Sequence, residues 1–177
     1  SIELQYQPKF CLRTGHVIGF SVALKWLGKN FGHMSTEELL AAFHESALID
    51  KVMKWVFDQS CKDLKVLQAQ FNFSGNLNIK VIPAAELDTA TLTSALSSLS
   101  KHSIEPNLIN IEVSEKQDVQ DINKIKEKLK QLKEVGFNLV ADHFGTGNSS
   151  LTYLSSINFS QINIDRSIVN SCKEDGV

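Results

Sequence analysis

The chain has 177 residues, with 18 Lys and Arg against 20 Asp and Glu and a formal net charge of -2. That length accommodates one domain with its own core, and the near-neutral balance excludes the general basic field that nucleic acid or an anionic membrane surface requires. Cys11, Cys61 and Cys172 are widely separated and show no metal-ligand spacing, so neither a disulfide framework nor a thiolate metal site is expected, and a reducing setting fits.

In chain order, Ile2 to Phe10 is extended in character. Leu12-Arg13-Thr14-Gly15-His16 forms a turn, and Val17 to Trp26 is a second strand paired with the first. Ser35-Thr36-Glu37-Glu38 is a capping box that opens a helix to about Ser46. A longer helix covers roughly Asp50 to Ala69, with Val52, Trp55, Val56, Cys61, Leu64 and Leu67 near helical spacing. The chain then alternates. Strands are expected at Leu77–Ile82, Leu108–Ser114, Phe137–Asp142 and Gln161–Asp165. Helices are expected at Ala84–His102, across Val119 to Val135 with Gly136 as its C′ residue, and briefly through Leu151–Leu154. The lysines between Lys124 and Lys133 alternate with Glu and Gln and read as a solvated helix face. Ser1-Ile2-Glu3-Leu4 runs straight into the first strand without an initiating Met, which suggests a domain cut from a longer protein.

Strand–helix–strand alternation with short connections implies parallel strands and right-handed crossovers. An open doubly wound sheet or part of a (β/α)₈ barrel both satisfy it. No Gly-rich nucleotide fingerprint follows the first strand, which weakens the former. Asn78, Glu112, Asp142 and Asp165 each fall in or at the end of a different strand and would converge at one rim of a barrel. Such an all-oxygen set suits Mg²⁺, Mn²⁺ or Ca²⁺ and points to a phosphate-ester site.

Several motifs then fall in order. Tyr6-Gln7-Pro8 is similar to an opening YQP, and Leu12 to Gly15 through Gly19-Phe20 to the segment leading into a signature triplet. Glu112-Val113-Ser114-Glu115 is similar to EITE, Asp142 to Ser150 to DDFGTGYSS, and Ile164-Asp165-Arg166-Ser167 to the end of LKIDRS. On these residues the chain resembles the EAL domain, the bacterial phosphodiesterase that linearises cyclic di-GMP. The resemblance covers the whole chain. It implies an α/β fold, a modified TIM (β/α)₈-type barrel with one early strand antiparallel. Residues 1–177 are then a single, incomplete domain of about six strands. The family's last two strand–helix units, which carry the glutamate thought to act as general base, are lacking from residues 1–177.

The resemblance also implies roles. The Glu-Ala-Leu triplet falls on Ser21-Val22-Ala23, so Ser21 stands where a metal-ligand glutamate is expected. His143 replaces the second aspartate of the pair, and Asn163 the active-site lysine. These three are the degenerate positions. Asn78, Glu112, Asp142 and Asp165 remain as residual metal ligands, for weakly held Mg or Mn, although Ile79-Lys80 departs from the usual Leu-Ser. Gln7, Lys25 and Asn78 remain as nucleotide contacts; Lys25 stands for an arginine and keeps charge but not the planar fork. The expected function is a catalytically degenerate regulatory module in cyclic di-GMP signalling, acting through nucleotide binding or protein contact. The alternative is a weakly active Mg/Mn-dependent phosphodiesterase. Expected partners are cyclic di-GMP, an upstream sensor or GGDEF-type domain, and a second copy of the chain; no nucleic-acid polymer is expected. The domain is expected in the cytoplasm, within a full-length protein open to an inner-membrane anchor.

Overall fold

The computed structural model describes residues 1–28, 34–81, 89–114, 122–145 and 157–174. Six strands form one open sheet in sequence order: β1 (Ile2–Phe10), β2 (Val17–Trp26), β3 (Asn76–Val81), β4 (Ile109–Ser114), β5 (Asn138–Phe144) and β6 (Gln161–Ile164). β1 pairs antiparallel with β2, and every later pairing is parallel. The β1–β2 connection is the expected turn, with Gly15 at φ +72 and its N–H donating to Cys11 O at 2.7 Å.

The helices are α1 (Thr36–Glu45), α2 (Ile49–Phe71), α3 (Thr89–His102), α4 (Ile122–Glu134) and α5 (Arg166–Glu174). The capping box of α1 forms as expected: Glu38 N donates to Ser35 Oγ at 3.2 Å, and Ser35 N to Glu38 Oε2 at 2.7 Å. In α2 the deepest stripe is Val52, Met53, Val56, Phe57, Cys61 and Leu64, while Trp55 and Leu67 are only partly buried. α3 holds despite its Ser and Thr content for two reasons. Ser98 Oγ donates to Ser94 O at 3.0 Å, so that hydroxyl is satisfied within the helix. Ala95 and Leu99 are buried in the core, and packing outweighs weak propensity. The expected start of this helix at Ala84 and the expected short helix at Leu151–Leu154 lie outside the described residues. α5 was not expected from the sequence. Gly136 ends the α4 segment at φ +101, where only glycine sits without strain.

Side chains alternate across a strand, and here the two faces have opposite character. Leu77, Ile79, Val81, Ile109, Ile111, Val113, Leu139 and Ala141 are buried in or beside the core, with helices against them. The intervening residues, Asn76, Asn78, Lys80, Asn110, Glu112, Asn138 and Asp142, form a polar face that the buried Val140, opposite Glu112, interrupts. Register places them in rows: Ser21 opposite Asn78, Asn78 opposite Asn110, Lys80 opposite Glu112, and Ser114 opposite Asp142. This is the inward face of a barrel-type sheet, on which layers of side chains meet across neighbouring strands. Among the described residues no helix is long and apolar enough to cross a membrane.

Candidate functional site

The lower layer of the polar face is an asparagine ladder. Asn110 Nδ2 donates to Asn78 Oδ1 at 2.9 Å, and Asn110 Oδ1 accepts from Asn76 at 3.2 Å and Asn138 at 3.1 Å. A buried amide with no partner costs roughly 1–3 kcal/mol, so each ladder member depends on its neighbours. The ladder has a sequence signal that motif reasoning passed over. Leu77-Asn78-Ile79, Ile109-Asn110-Ile111, Phe137-Asn138-Leu139 and Ile162-Asn163-Ile164 each read apolar–Asn–apolar within a strand. In the first three the flanking residues are buried, so the asparagine points to the opposite, inward face; Ile162 and Ile164 are exposed, and Asn163 follows the same alternation.

Above the ladder sits Glu112, buried, with Oε1 as a shared acceptor. Asn78 Nδ2 donates to it at 2.8 Å, Lys9 Nζ at 3.1 Å, Asn163 Nδ2 at 3.1 Å and Ser21 Oγ at 3.4 Å. Asn163 Nδ2 also reaches Asp142 Oδ1 at 3.1 Å, so one amide bridges the two carboxylates. Asp142 Oδ2 pairs with Lys80 Nζ at 2.8 Å, and the same ammonium bonds Glu37 Oε1 from the first turn of α1.

These ion pairs set the protonation states. Burial raises the Asp142 carboxyl, but the Lys80 ammonium outweighs it and holds Asp142 below its ordinary value. Glu37 behaves alike, burial being offset by Lys80 and then by His143. Burial lowers the Lys80 ammonium, yet Asp142 and Glu37 together hold it above its ordinary value. The trio is therefore charged across neutral pH.

His143 reaches this cluster through a local irregularity. Strict alternation would turn it to the face opposite Asp142. The β5–β6 register shifts between Ala141 and Phe144, and His143 takes φ +58, a conformation uncommon outside glycine and seen most with Asn, Asp and His. The ring consequently lies on the same side as Asp142. Nδ1 is 2.9 Å from Asp165 Oδ2, while Nε2 is 3.4 Å from Glu37 Oε1 and 3.5 Å from Asp142 Oδ2. Gly145 follows at φ +93, and a Cβ there would come within 2.2 Å of Ile168 Cδ1, so glycine lets the turn pack on α5.

Of the residues singled out from the sequence, Ser21, Asn78, Glu112, Asp142, His143 and Asn163 come together. Asp165 lies beside them, next to His143. Its Oδ1 accepts from Ser167 N at 2.9 Å and Ser167 Oγ at 2.6 Å, which caps α5, and its Oδ2 faces His143. Gln7 is exposed on β1 opposite Ser21, and Lys25 is half-buried on β2 opposite Glu3. Both flank the bonded cluster. Glu37, Lys9 and Lys80 were missed as site residues. Glu37 reads locally as part of a capping box, and the lysines as polar members of alternating strands.

An α/β sheet of barrel type, with its polar chemistry gathered on the inward face near the ends of the parallel strands, defines the class of protein. The EAL domain family model matches residues 1–176, and the chain belongs to that family. EAL domains are typically cyclic di-GMP phosphodiesterases that use divalent metal ions. The chain is 31% identical over 178 residues to the bifunctional diguanylate cyclase/cyclic di-GMP phosphodiesterase MucR of Pseudomonas aeruginosa, covering 98% of this chain and 25% of that protein. It is 27% identical to the cyclic di-GMP phosphodiesterase NbdA of the same organism, over 95% of this chain and 22% of that one. The chain thus spans about a quarter of these relatives. Its fold superposes on the solved PaMucR phosphodiesterase in complex with c-di-GMP with a TM-score of 0.86, at 28% identity, over 98% of this chain and 70% of that one. The EAL enzyme Bd1971 bound to cAMP and cyclic di-GMP gives a TM-score of 0.87 at 25% identity, over 98% and 48%.

The donor set can be tested against a divalent ion. Glu37, Asp142 and His143 offer ligand atoms within 4.8 Å of one another, which is adequate in spacing. The two carboxylates of that trio, however, already share the Lys80 ammonium, and Glu112 holds that of Lys9. Ser21 presents a neutral hydroxyl. Three carboxylates thus share two resident ammonium groups, and Lys80 occupies the oxygens of Asp142 and Glu37 that would face an ion, so the residues as arranged do not fit an open Mg²⁺ or Mn²⁺ centre.

Proposed function

We propose that this domain is a regulatory EAL module that engages cyclic di-GMP without hydrolysing it. The observation that carries the proposal is the set of groups around Glu112 and Asp142: a hydroxyl, amides and ammonium groups, where two-metal hydrolysis calls for carboxylates bridging ions. Activation of water and stabilisation of the leaving oxygen both need those ions, and loss of one such group commonly lowers the rate a hundredfold or more. Ser21, His143 and Asn163 each contribute to that loss. Gln7, Lys25 and Asn78 are the proposed nucleotide contacts, on the flank and floor of the polar face. Calorimetry with cyclic di-GMP, with and without Mg²⁺, tests this. Saturable heat that is independent of Mg²⁺ is expected; no heat at high micromolar ligand leaves protein contact as the regulatory mode and removes the receptor role.

The second reading, a weak Mg/Mn-dependent phosphodiesterase, draws on the spacing of Glu37, Asp142 and His143. It requires linear product to accumulate under Mn²⁺. The proposed setting is the cytoplasm, in a longer protein with an upstream sensor or GGDEF-type domain. Light scattering on the isolated chain tests the proposed homodimer.

A further inference from the structure

The carboxylates on the inward face carry their own cations. We propose that Lys80, assisted by Lys9, is a built-in counter-cation that replaces divalent metal at this rim, leaving the site closed to Mg²⁺ and Mn²⁺. The proposal extends the function proposed above, but its test uses no nucleotide, so the two fail separately.

Three observations converge on Lys80. Its Nζ bridges Asp142 Oδ2, at 2.8 Å, and Glu37 Oε1, which come from β5 and α1, two elements far apart in sequence. A group that ties two anions from separate elements does the structural work of a bound cation. The lysine side chain is only 12% exposed and Asp142's 11%, so the pair is poorly screened and water does not compete freely for it. Finally, Lys80 pairs in register with Glu112, whose Oε1 holds Lys9 at 3.1 Å, so the neighbouring carboxylate is neutralised by a second ammonium. A dication placed on Asp142 would sit a few ångström from the Lys80 ammonium. It would have to expel that group before gaining Asp142 Oδ2 or Glu37 Oε1 as a ligand. An ammonium supplies three N–H donors and no vacant coordination position, so it can hold a phosphodiester oxygen but cannot acidify water as a metal does.

The prediction is directional: removing the resident charge opens a metal site. Free Mn²⁺ is followed by electron paramagnetic resonance during titration of the wild-type chain, Lys80→Met, and the Lys80→Met/Lys9→Met double variant. Methionine keeps the apolar stem and length while removing the charge. The wild type is expected to leave millimolar Mn²⁺ free, and the variants, shown folded by circular dichroism, to bind it at least about tenfold more tightly. Stoichiometric Mn²⁺ uptake by the wild type overturns the proposal, as does a folded double variant that binds no better. Should the variants fail to fold, the wild type alone decides. Its unfolding midpoint is expected to move by less than about 1 °C between EDTA and millimolar MnCl₂, and a clear rise with Mn²⁺ overturns the proposal.

Discussion

Glu112 accepts from Lys9, Ser21, Asn78 and Asn163 through one oxygen, and that convergence makes it the residue on which the polar face most depends. Truncating it strands the buried Asn78 amide and leaves the half-buried Lys9 ammonium and Ser21 hydroxyl without this acceptor. Glu112→Ala is therefore expected to destabilise the domain by about 3 kcal/mol, read from the urea midpoint. Asp165 acts differently, as the cap of α5 and the partner of His143 Nδ1. Asp165→Ala is expected to lower stability by about 1 kcal/mol, the usual loss for a helix cap, and to leave Mn²⁺ affinity unchanged. Asn78, Glu112 and Asp142 were legible as a set because each is a polar residue in or at the end of a different strand. Lys80 and Glu37 were not. Their meeting depends on how α1 sits over the sheet, which no local pattern encodes. The capping role of Asp165 was not legible for a related reason: an aspartate after a strand reads the same whether it caps a helix or binds an ion.

At the scale of elements, the β5 bulge shows the limits of periodicity. The pattern from Asn138 to Phe144 gives the strand but not the extra residue that brings Asp142 and His143 to the same side. α2 was legible from helical spacing and α3 was expected as a helix despite its Ser and Thr content, and their contact carries two predictions. Asp58 in α2 accepts from Lys101 Nζ at 2.8 Å and faces His102 Nε2 at 3.0 Å, both from α3, and these partners hold its carboxyl below the ordinary value. A carboxylate depressed in the folded state stabilises above its unfolded pKa, near 3.9, and that contribution disappears as pH falls through the folded value. Asp58→Asn is thus expected to lower stability at pH 7 by about 0.5 kcal/mol, a small amount because the site is solvent-screened, with the gap closing toward pH 3 in urea titrations. Cys61, buried in the same helix, has its thiol pushed up to about 12 by burial. It is expected to resist a thiol reagent in the native state. Exposed Cys172 and partly exposed Cys11 should label at once, and prompt reaction of all three thiols in the native protein would show that α2 does not pack as described.

For the whole molecule, the two faces of one sheet divide the work. From β3 to β5 the outer face is apolar and buried under helices, and the inner face carries a connected network of amides, carboxylates and ammonium groups. The barrel-type sheet with β1 antiparallel was legible from strand–helix alternation and the ordered motifs. The manner in which the inner face balances its charge was not, since it depends on Lys9 reaching Glu112 across a separation of 103 residues. On the proposed reading, that pairing of carboxylates with resident ammonium groups underlies binding without turnover. The most direct test is chromatographic analysis of cyclic di-GMP after long incubation with the protein and Mn²⁺ or Mg²⁺. The account predicts that the nucleotide is recovered intact. Linear dinucleotide that accumulates in proportion to protein, and disappears with Asp142→Asn, would contradict it.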